Sequence, residues 1–304
     1  MLGLGKPKPV PEFEAEGEIE RVYHEIRQVL RVSGVNLNFR AWASFDKFLP
    51  AMWDELRLNF ETRAFEDAAD RVRAQAARHA GALGRLDAAP QARLGESQAY
   101  QVRKALDLYH YINPKLLVLT STLRLALGGE ESSRPGAESS VELIERGVPS
   151  RMYPMEMVPE EPDDARLRDL FGDIVETLNI PSVNSDYRTL ALWPDYLAHV
   201  WEGLKPLATS DEHRLASDAL IETSRSLARA LPLGVSLSRE RIEELGDDAG
   251  DVVEMIGTFE RILAPLILNV SLIGLDWRQP DQLAGSPYPA ASRSGPGGRR
   301  GGPA

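Results

Sequence analysis

The sequence contains no cysteine. Disulfides, thiolate nucleophiles and zinc sites built on cysteine are therefore excluded, and a reducing cytoplasm is the expected compartment. Basic residues are scarce: 46 Asp and Glu stand against 35 Lys and Arg, a formal net charge of -11. Nucleic acid and anionic membrane surfaces both call for basic patches, so neither is expected as a partner. Long hydrophobic runs are missing too. The longest uncharged apolar run, 262–275, falls short of the roughly 20 residues a bilayer needs and reads as a buried core helix. The first 13 residues hold three prolines and two lysines but no apolar stretch of the signal-peptide kind. GxGxxG, the GK[ST] phosphate loop and the GxSxG elbow are all absent, and the five histidines show no paired ligand spacing. No cofactor and no metal are expected.

What is present is a duplication. Val183-Asn184-Ser185-Asp186-Tyr187-Arg188 repeats Val35-Asn36-Leu37-Asn38-Phe39-Arg40 at an offset of 148 positions. The same offset pairs Tyr23 with Phe171, Ile26 with Ile174, Leu30 with Leu178, Trp53 with Trp201 and Leu56 with Leu204. A repeat of this length signals a duplicated supersecondary unit. The hydrophobic share of 43% suits a globular protein with a real core. The expectation is one all-α body made of two similar halves, an intramolecular pseudo-dimer. Its parts are helical repeat 1 (17–128), a linker (129–163), helical repeat 2 (164–278) and a disordered tail (279–304), the tail being rich in Gly, Pro, Ser and Arg.

Along the chain, residues 1–16 read as a loose proline-rich arm. Ile19, Val22, Tyr23, Ile26 and Leu30 form a helical stripe. Trp42, Phe45, Phe48, Leu49, Met52 and Trp53 form a second. The alanine-rich stretch 61–83 reads as a helix whose arginines face solvent. Asn113-Pro114 interrupts an apolar helical run, and Leu263-Ala264-Pro265 does the same in the second half. Proline lacks the N–H and clashes with the preceding turn, so each is expected to end or kink its helix.

Two positions break the internal symmetry. Asp186 is matched by Asn38, similar in shape but unable to take a proton, and Asn113 is matched by Ala264. Locally, Asn184, Ser185 and Asp186 are an ordinary helix start, a cap followed by an acid in the first turn. An Asn ahead of a proline is likewise an ordinary local hydrogen-bonder. Together, across a two-half body, an aspartate and an asparagine can also hold one water, with the amide orienting it and the carboxylate taking its proton. His110, one turn before Asn113, is read as a core-edge residue. Trp42 is the tryptophan placed nearest a pocket, with Asn38, Leu49 and Met52 assigned to its lining.

The doubled VN-x-[ND]-[FY]-R segment, the Ser-Asp of its second copy, the Asn-Pro break and the long joint between halves together resemble the group I 2-haloacid dehalogenases, the DehI type. The resemblance covers about residues 18–277. It implies hydrolysis of 2-haloalkanoic acids by direct attack of an activated water, with inversion at C2 and without metal or cofactor. It matches Asp186 to the family's catalytic aspartate and Asn113 to its water-holding asparagine. Ser185 is matched to a residue whose backbone helps bind the substrate carboxylate. Leu116 and Leu117 stand where the family can carry an aromatic. Members restricted to D-substrates carry Asn at the position of Asn184, so a D-preference is implied. The expected partner is a small-molecule 2-haloacid, and a homodimer is compatible with the reading. Two other readings stay open: a hydrolase of another small activated acid on this scaffold, and a non-catalytic helical protein that binds a small carboxylate or a partner.

Overall fold

Apolar residues at spacings of three and four give each segment one face to bury, and the only cheap way to bury such faces is helix against helix. The computed structural model describes residues 8–130 and 141–293, and the fold is all-α. In chain order the helices are α1 (Gly17–Val29), α2 (Leu37–Trp42), α3 (Phe48–Phe60), α4 (Arg63–Leu83), α5 (Ala88–Gln91) and α6 (Glu96–Leu127). They continue as α7 (Ala165–Leu178), α8 (Ser185–Leu190), α9 (Pro194–Ala208), α10 (Asp211–Arg229), α11 (Arg239–Leu245) and α12 (Ala249–Gly274). Among the described residues, β pairing is limited to the isolated bridges Thr62–Leu143 and Ile144–Ser292.

The centre is α6 laid against α12, the most extensive helix pair, with α4 and α10 packed on both. Helix α12 is long and apolar enough to cross a membrane by length and composition. However, 72% of its most apolar window is buried inside the fold, so it serves as a core helix.

Neither proline ends its helix. Helix α6 runs for 32 residues through Pro114, and α12 for 26 through Pro265. For Pro114 the expected break is not realised because a side chain from α4 meets the need that the proline creates, as the site shows.

The arm and the tail are also better ordered than their composition suggests. From residue 8 onward the arm is docked. The Val10 N–H donates to Arg40 O at 2.8 Å, Tyr23 Oη donates to Val10 O at 2.9 Å, and Glu12 accepts from the Val35 N–H at 2.8 Å. Residues 279–293 are packed rather than disordered. Leu283 and Tyr288 are buried, and two anchors of this size hold a short segment. The Leu283 carbonyl accepts from His110 at 2.8 Å, Tyr288 O from Arg31 at 3.2 Å and Ala290 O from Arg63 at 2.8 Å. The remaining parts of the expected arm (1–7) and tail (294–304) lie outside the described residues. So do linker residues 131–140. The rest of the linker packs through buried Ile144 and partly buried Met152, Tyr153 and Met155, and the Val158 N–H pairs with Arg188 O at 3.0 Å.

Candidate active site

The short helix α8 begins at Ser185, so Asp186 sits in its first turn, where free N–H groups favour negative charge. Its side chain nevertheless points into the protein and is only 4% exposed. There Asn113 Nδ2 donates to Asp186 Oδ1 at 2.8 Å. Asn113 comes from the middle of α6 and is 3% exposed. The two residues that break the sequence symmetry therefore meet directly.

Burial raises the Asp186 carboxyl from its ordinary 3.8 to about 7; the Asn113 hydrogen bond and its own backbone N–H pull the other way. A carboxylate poised near neutrality is a proton acceptor matched to neutral pH. Because Asn113 gives an N–H to Asp186 Oδ1, its carbonyl oxygen and the second carboxylate oxygen both remain acceptors. A water placed there donates one O–H to each.

The wall around this pair is built by α6 and α8. Tyr109 Oη lies 3.1 Å from Ser185 O, to which it donates, and 2.6 Å from Thr189 Oγ1. Thr189 in turn donates to Glu156 O at 2.7 Å, tying the linker to α8. Burial and the nearby Asp186 charge push the Tyr109 phenol well above its usual range, so it stays a neutral donor. Ser185 is thus at the site through its backbone. Sequence reasoning missed Tyr109, which stands four residues before Asn113 and so on the same face of α6. His110 turns away instead, to Leu283 O, and burial lowers it to about 3, so it is neutral.

Arg73 explains how α6 survives Pro114. A proline leaves the carbonyl four residues earlier without its helical donor. That carbonyl is His110 O, and Arg73 Nε donates to it at 2.9 Å while Nη2 donates to Tyr111 O at 3.0 Å. Arg73 is 1% exposed, against the expectation that the α4 arginines face solvent. Substituting Arg73→Met leaves the His110 carbonyl buried and unpaired, at about 1–3 kcal/mol, whereas Tyr111 O keeps the Lys115 N–H of the helix. The expected loss is of that size in urea unfolding with an unchanged slope, and Arg73→Lys, with one point donor, recovers only part of it.

The other sequence candidates are placed less uniformly. Asn38 is 2% exposed and neither of its amide atoms has a hydrogen-bond partner. Trp42 is fully buried, edge-on to Phe39 (5.4 Å), Phe48 (6.4 Å) and Phe259 (5.9 Å), and its indole N–H is also unpartnered. These three unpaired atoms, with the buried Arg40 Nε, mark α2 as a place where polar groups wait for a partner. Leu49 and Met52 are fully buried in α3, and Leu116 is 3% exposed just past Pro114. No hydrogen bond or ring contact joins Asn38, Trp42, Leu49 or Met52 to Asp186 among the described residues. Asn184 occupies the cap position of α8 but makes no capping bond. It lines a cavity of about 400 Å³ on the α12 side, whose lining does not include Asp186. Sequence reasoning also passed over Arg40 and Arg188, though both sit in the repeated motif. Arg188 Nε is bound to Val158 O at 2.9 Å, and both guanidinium charges act on Tyr109.

Comparison with known proteins places this geometry in context. The family described as halocarboxylic acid dehydrogenase DehI matches residues 33–187. An (R)-2-haloacid dehalogenase of Rhizobium sp. is 31% identical over 232 residues, covering 74% of this chain and 88% of that protein. An (R)-2-haloacid dehalogenase of Pseudomonas putida is 26% identical over 272 residues, covering 87% of this chain and 90% of that one. A solved complex of a D-2-haloacid dehalogenase with L-LA superposes with a TM-score of 0.80 at 25% identity, over 90% of this chain and 99% of the other.

Proposed function

The chain belongs to the group I 2-haloacid dehalogenases, the DehI family, and from that premise we propose that it hydrolyses 2-haloalkanoic acids to 2-hydroxy acids and halide through a water activated by Asp186. It is a hydrolase acting on carbon–halide bonds. The observation that carries the mechanism is the buried Asn113–Asp186 contact at 2.8 Å around a carboxyl raised to about 7.

In the proposed reaction a water donates one hydrogen bond to Asn113 Oδ1 and one to Asp186 Oδ2. Its lone pair attacks C2 in line with the C–halogen bond. As the C–O bond forms, the C–halogen bond breaks with its electron pair leaving on the halide, and Asp186 takes the water's proton. Attack opposite the leaving group inverts C2. The substrate carboxylate is assigned to the Ser185 backbone at the start of α8 and to the positive field of Arg40 and Arg188. Asn38 and the Trp42 indole N–H, both without a partner, are the further donors that α2 is proposed to offer.

Only the ionised carboxyl accepts a proton. Activity should therefore rise tenfold per pH unit up to about 7 and stay level above it. A profile of kcat/KM for halide release checks this; an acid limb near 4, the ordinary carboxyl range, would mean that Asp186 is not the base.

The internal pseudo-dimer is part of the proposal. In its support, α2 and α8 are six residues each at the offset of the sequence repeat. Trp53 Nε1 donates to Glu25 at 2.8 Å as Trp201 Nε1 does to Asp173 at 2.7 Å, at the same offset. Arg31 and Asn179, also matched, both take positive φ, at 60° and 49°.

A preference for D-substrates follows from the names of the relatives and from Asn184. Halide release from D-2-chloropropionate should exceed that from the L-form by at least tenfold. Asn184→Ala separates two roles. Gain of L-activity assigns the handedness to Asn184, whereas unchanged selectivity assigns its side chain to the neighbouring cavity alone.

A further inference from the structure

Helix α8 is too short to hold its own position. It has six residues, Ser185–Leu190, and its cap Asn184 makes no capping bond. Helices of this length have almost no stability of their own. Yet from this helix Asp186 must meet Asn113 at 2.8 Å. Two neighbours hold α8. On one side the linker pairs with it in both directions: the Val158 N–H donates to Arg188 O at 3.0 Å, and Arg188 Nε donates to Val158 O at 2.9 Å. On the other side stands α6.

Among the described residues, two hydrogen bonds between side chains join α6 to α8. One is Asn113–Asp186 and the other is Tyr109 Oη–Thr189 Oγ1 at 2.6 Å. Tyr109 lies four residues before Asn113, and Thr189 three after Asp186. The helices therefore run in opposite directions here, and the two contacts are rungs about one turn, roughly 5.4 Å, apart on each. The second rung has a fixed direction. The Thr189 hydroxyl has one proton, and Glu156 O, which can only accept, takes it at 2.7 Å. Thr189 Oγ1 is then the acceptor for Tyr109 Oη, whose proton it shares with Ser185 O at 3.1 Å. Tyr109 and Thr189 are both buried, so no solvent competes for these bonds.

The duplication supplies an internal comparison. The positions matched to Asp186 and Asn113 are Asn38 and Ala264, and those matched to Thr189 and Tyr109 are Ala41 and Glu260. Where the first rung is missing, the second is missing too. Ala41 has no hydroxyl, and Glu260 instead accepts from Arg225 Nη2 at 2.7 Å and from Ser121 Oγ at 3.2 Å. Helix α2 also has six residues and no capping bond, and it forms without such a rung. The Tyr109–Thr189 bond therefore goes with the Asn113–Asp186 pair rather than with the fold.

We propose that Tyr109 and Thr189 are positioning residues for the reaction: with the Glu156 carbonyl behind them, they set the distance and roll of α8 against α6 and so hold Asp186 and Asn113 around one water. This role rests on the proposed water attack and deepens it, since neither residue needs to touch the substrate. A misplacement of about 1 Å at a reacting group can cost about a hundredfold in rate. A six-residue helix with one rung can roll by that much; with two it cannot.

Kinetics of halide release from D-2-chloropropionate and an NMR titration of the full chain test the role together. Tyr109→Phe and Thr189→Val each remove one end of the bond and keep the packing shape, so either suffices if the other fails to fold. Each should lower kcat at pH 8 by at least about tenfold, with KM changed by less than about threefold. Thr189→Ser, which keeps the hydroxyl, should stay within about threefold of the wild type. In an Asn113→Ala background the same two substitutions should cost less than about a further twofold, because the spacing they hold no longer matters. The Asp186 carboxyl, followed by ¹³C NMR against pH, should titrate higher in both variants, since a looser Asn113 bond lowers its pKa less. Undiminished kcat in both variants, a loss confined to KM, or the tenfold loss repeated without Asn113 would overturn the proposal. A wild type that releases no halide would sink the dehalogenase reading instead. The Asp186 titration then decides the role of the rung by itself, and an unmoved midpoint in both variants would overturn it.

Discussion

Replacing Asp186 with Asn should abolish halide release, by at least about a thousandfold, while leaving the fold intact. Proton transfer by a positioned base is worth roughly 10²–10⁴ in rate, and here the base also helps hold the nucleophilic water. The amide keeps the shape of the carboxyl and still offers Oδ1 to Asn113 Nδ2, so the 2.8 Å contact has a replacement. The scaffold already accepts a buried Asn at the matched position, Asn38.

The same substitution should raise stability, with a characteristic pH dependence. The folded carboxyl holds its proton up to about pH 7 and the unfolded one only to about 3.8. Between these values the folded state binds a proton that the unfolded state lacks, so wild-type stability falls as pH rises through this window. The rise in pKa corresponds to about 4 kcal/mol at about 1.4 kcal/mol per pH unit, an order-of-magnitude figure. Asp186→Asn, which has no such proton to lose, should gain on the wild type by up to that amount at pH 8 and by nothing at pH 3. Urea unfolding at several pH values gives the difference directly. Retention of more than a few per cent of activity by Asp186→Asn would remove Asp186 from the mechanism. Asn38→Asp in that background should not restore turnover, because the residue matched to Asn113 on that side is Ala264.

The second large effect is expected from Asn113→Asp. It puts a second carboxyl within hydrogen-bonding distance of Asp186 in a buried site, where two like charges about 3 Å apart cannot both ionise. The pair will share one proton near neutral pH, and full ionisation will require a higher pH. The acid limb of the rate profile should move up by a unit or more, and kcat at pH 7 should fall about a hundredfold. Asn113→Ala should also slow the reaction, since the water loses its second acceptor. The direction of its pH limb is upward too, because the Asn113 bond lowers the Asp186 pKa. If Asn113→Asp keeps both the rate and the limb, Asn113 does not touch the water.

The Asn113–Asp186 pair could be read from the sequence because it is where a duplication stops being symmetric. Asp186 against Asn38 and Asn113 against Ala264 are local differences in otherwise matched surroundings. The helices were equally legible, since their apolar stripes follow one period. What the sequence hid depends on long-range partners. Pro114 reads as a break because no local pattern reveals that Arg73, 41 positions earlier, will serve the carbonyl it strands. The segment 279–293 reads as disorder because two apolar residues are too few to register in a composition, yet Leu283 and Tyr288 suffice once α4 and α6 offer Arg63 and His110 as donors. Asn184, read as a helix-start residue beside the substrate, holds the cap position of α8 without a capping bond and lines a cavity. Tyr109 is overlooked because its partners, Ser185 O and Thr189, lie 76 and 80 positions away. Helical geometry favours Tyr109, four residues from Asn113.

The central claim is that water, not Asp186, attacks C2. A single turnover in ¹⁸O-water, with enzyme in excess over D-2-chloropropionate, tests it most directly. Direct attack requires the label to appear at once in the hydroxyl of the 2-hydroxy acid, with none in the protein. An unlabelled hydroxy acid in the first turnover, together with ¹⁸O in the Asp186 carboxyl of the recovered enzyme, would mean an ester intermediate and would contradict the account.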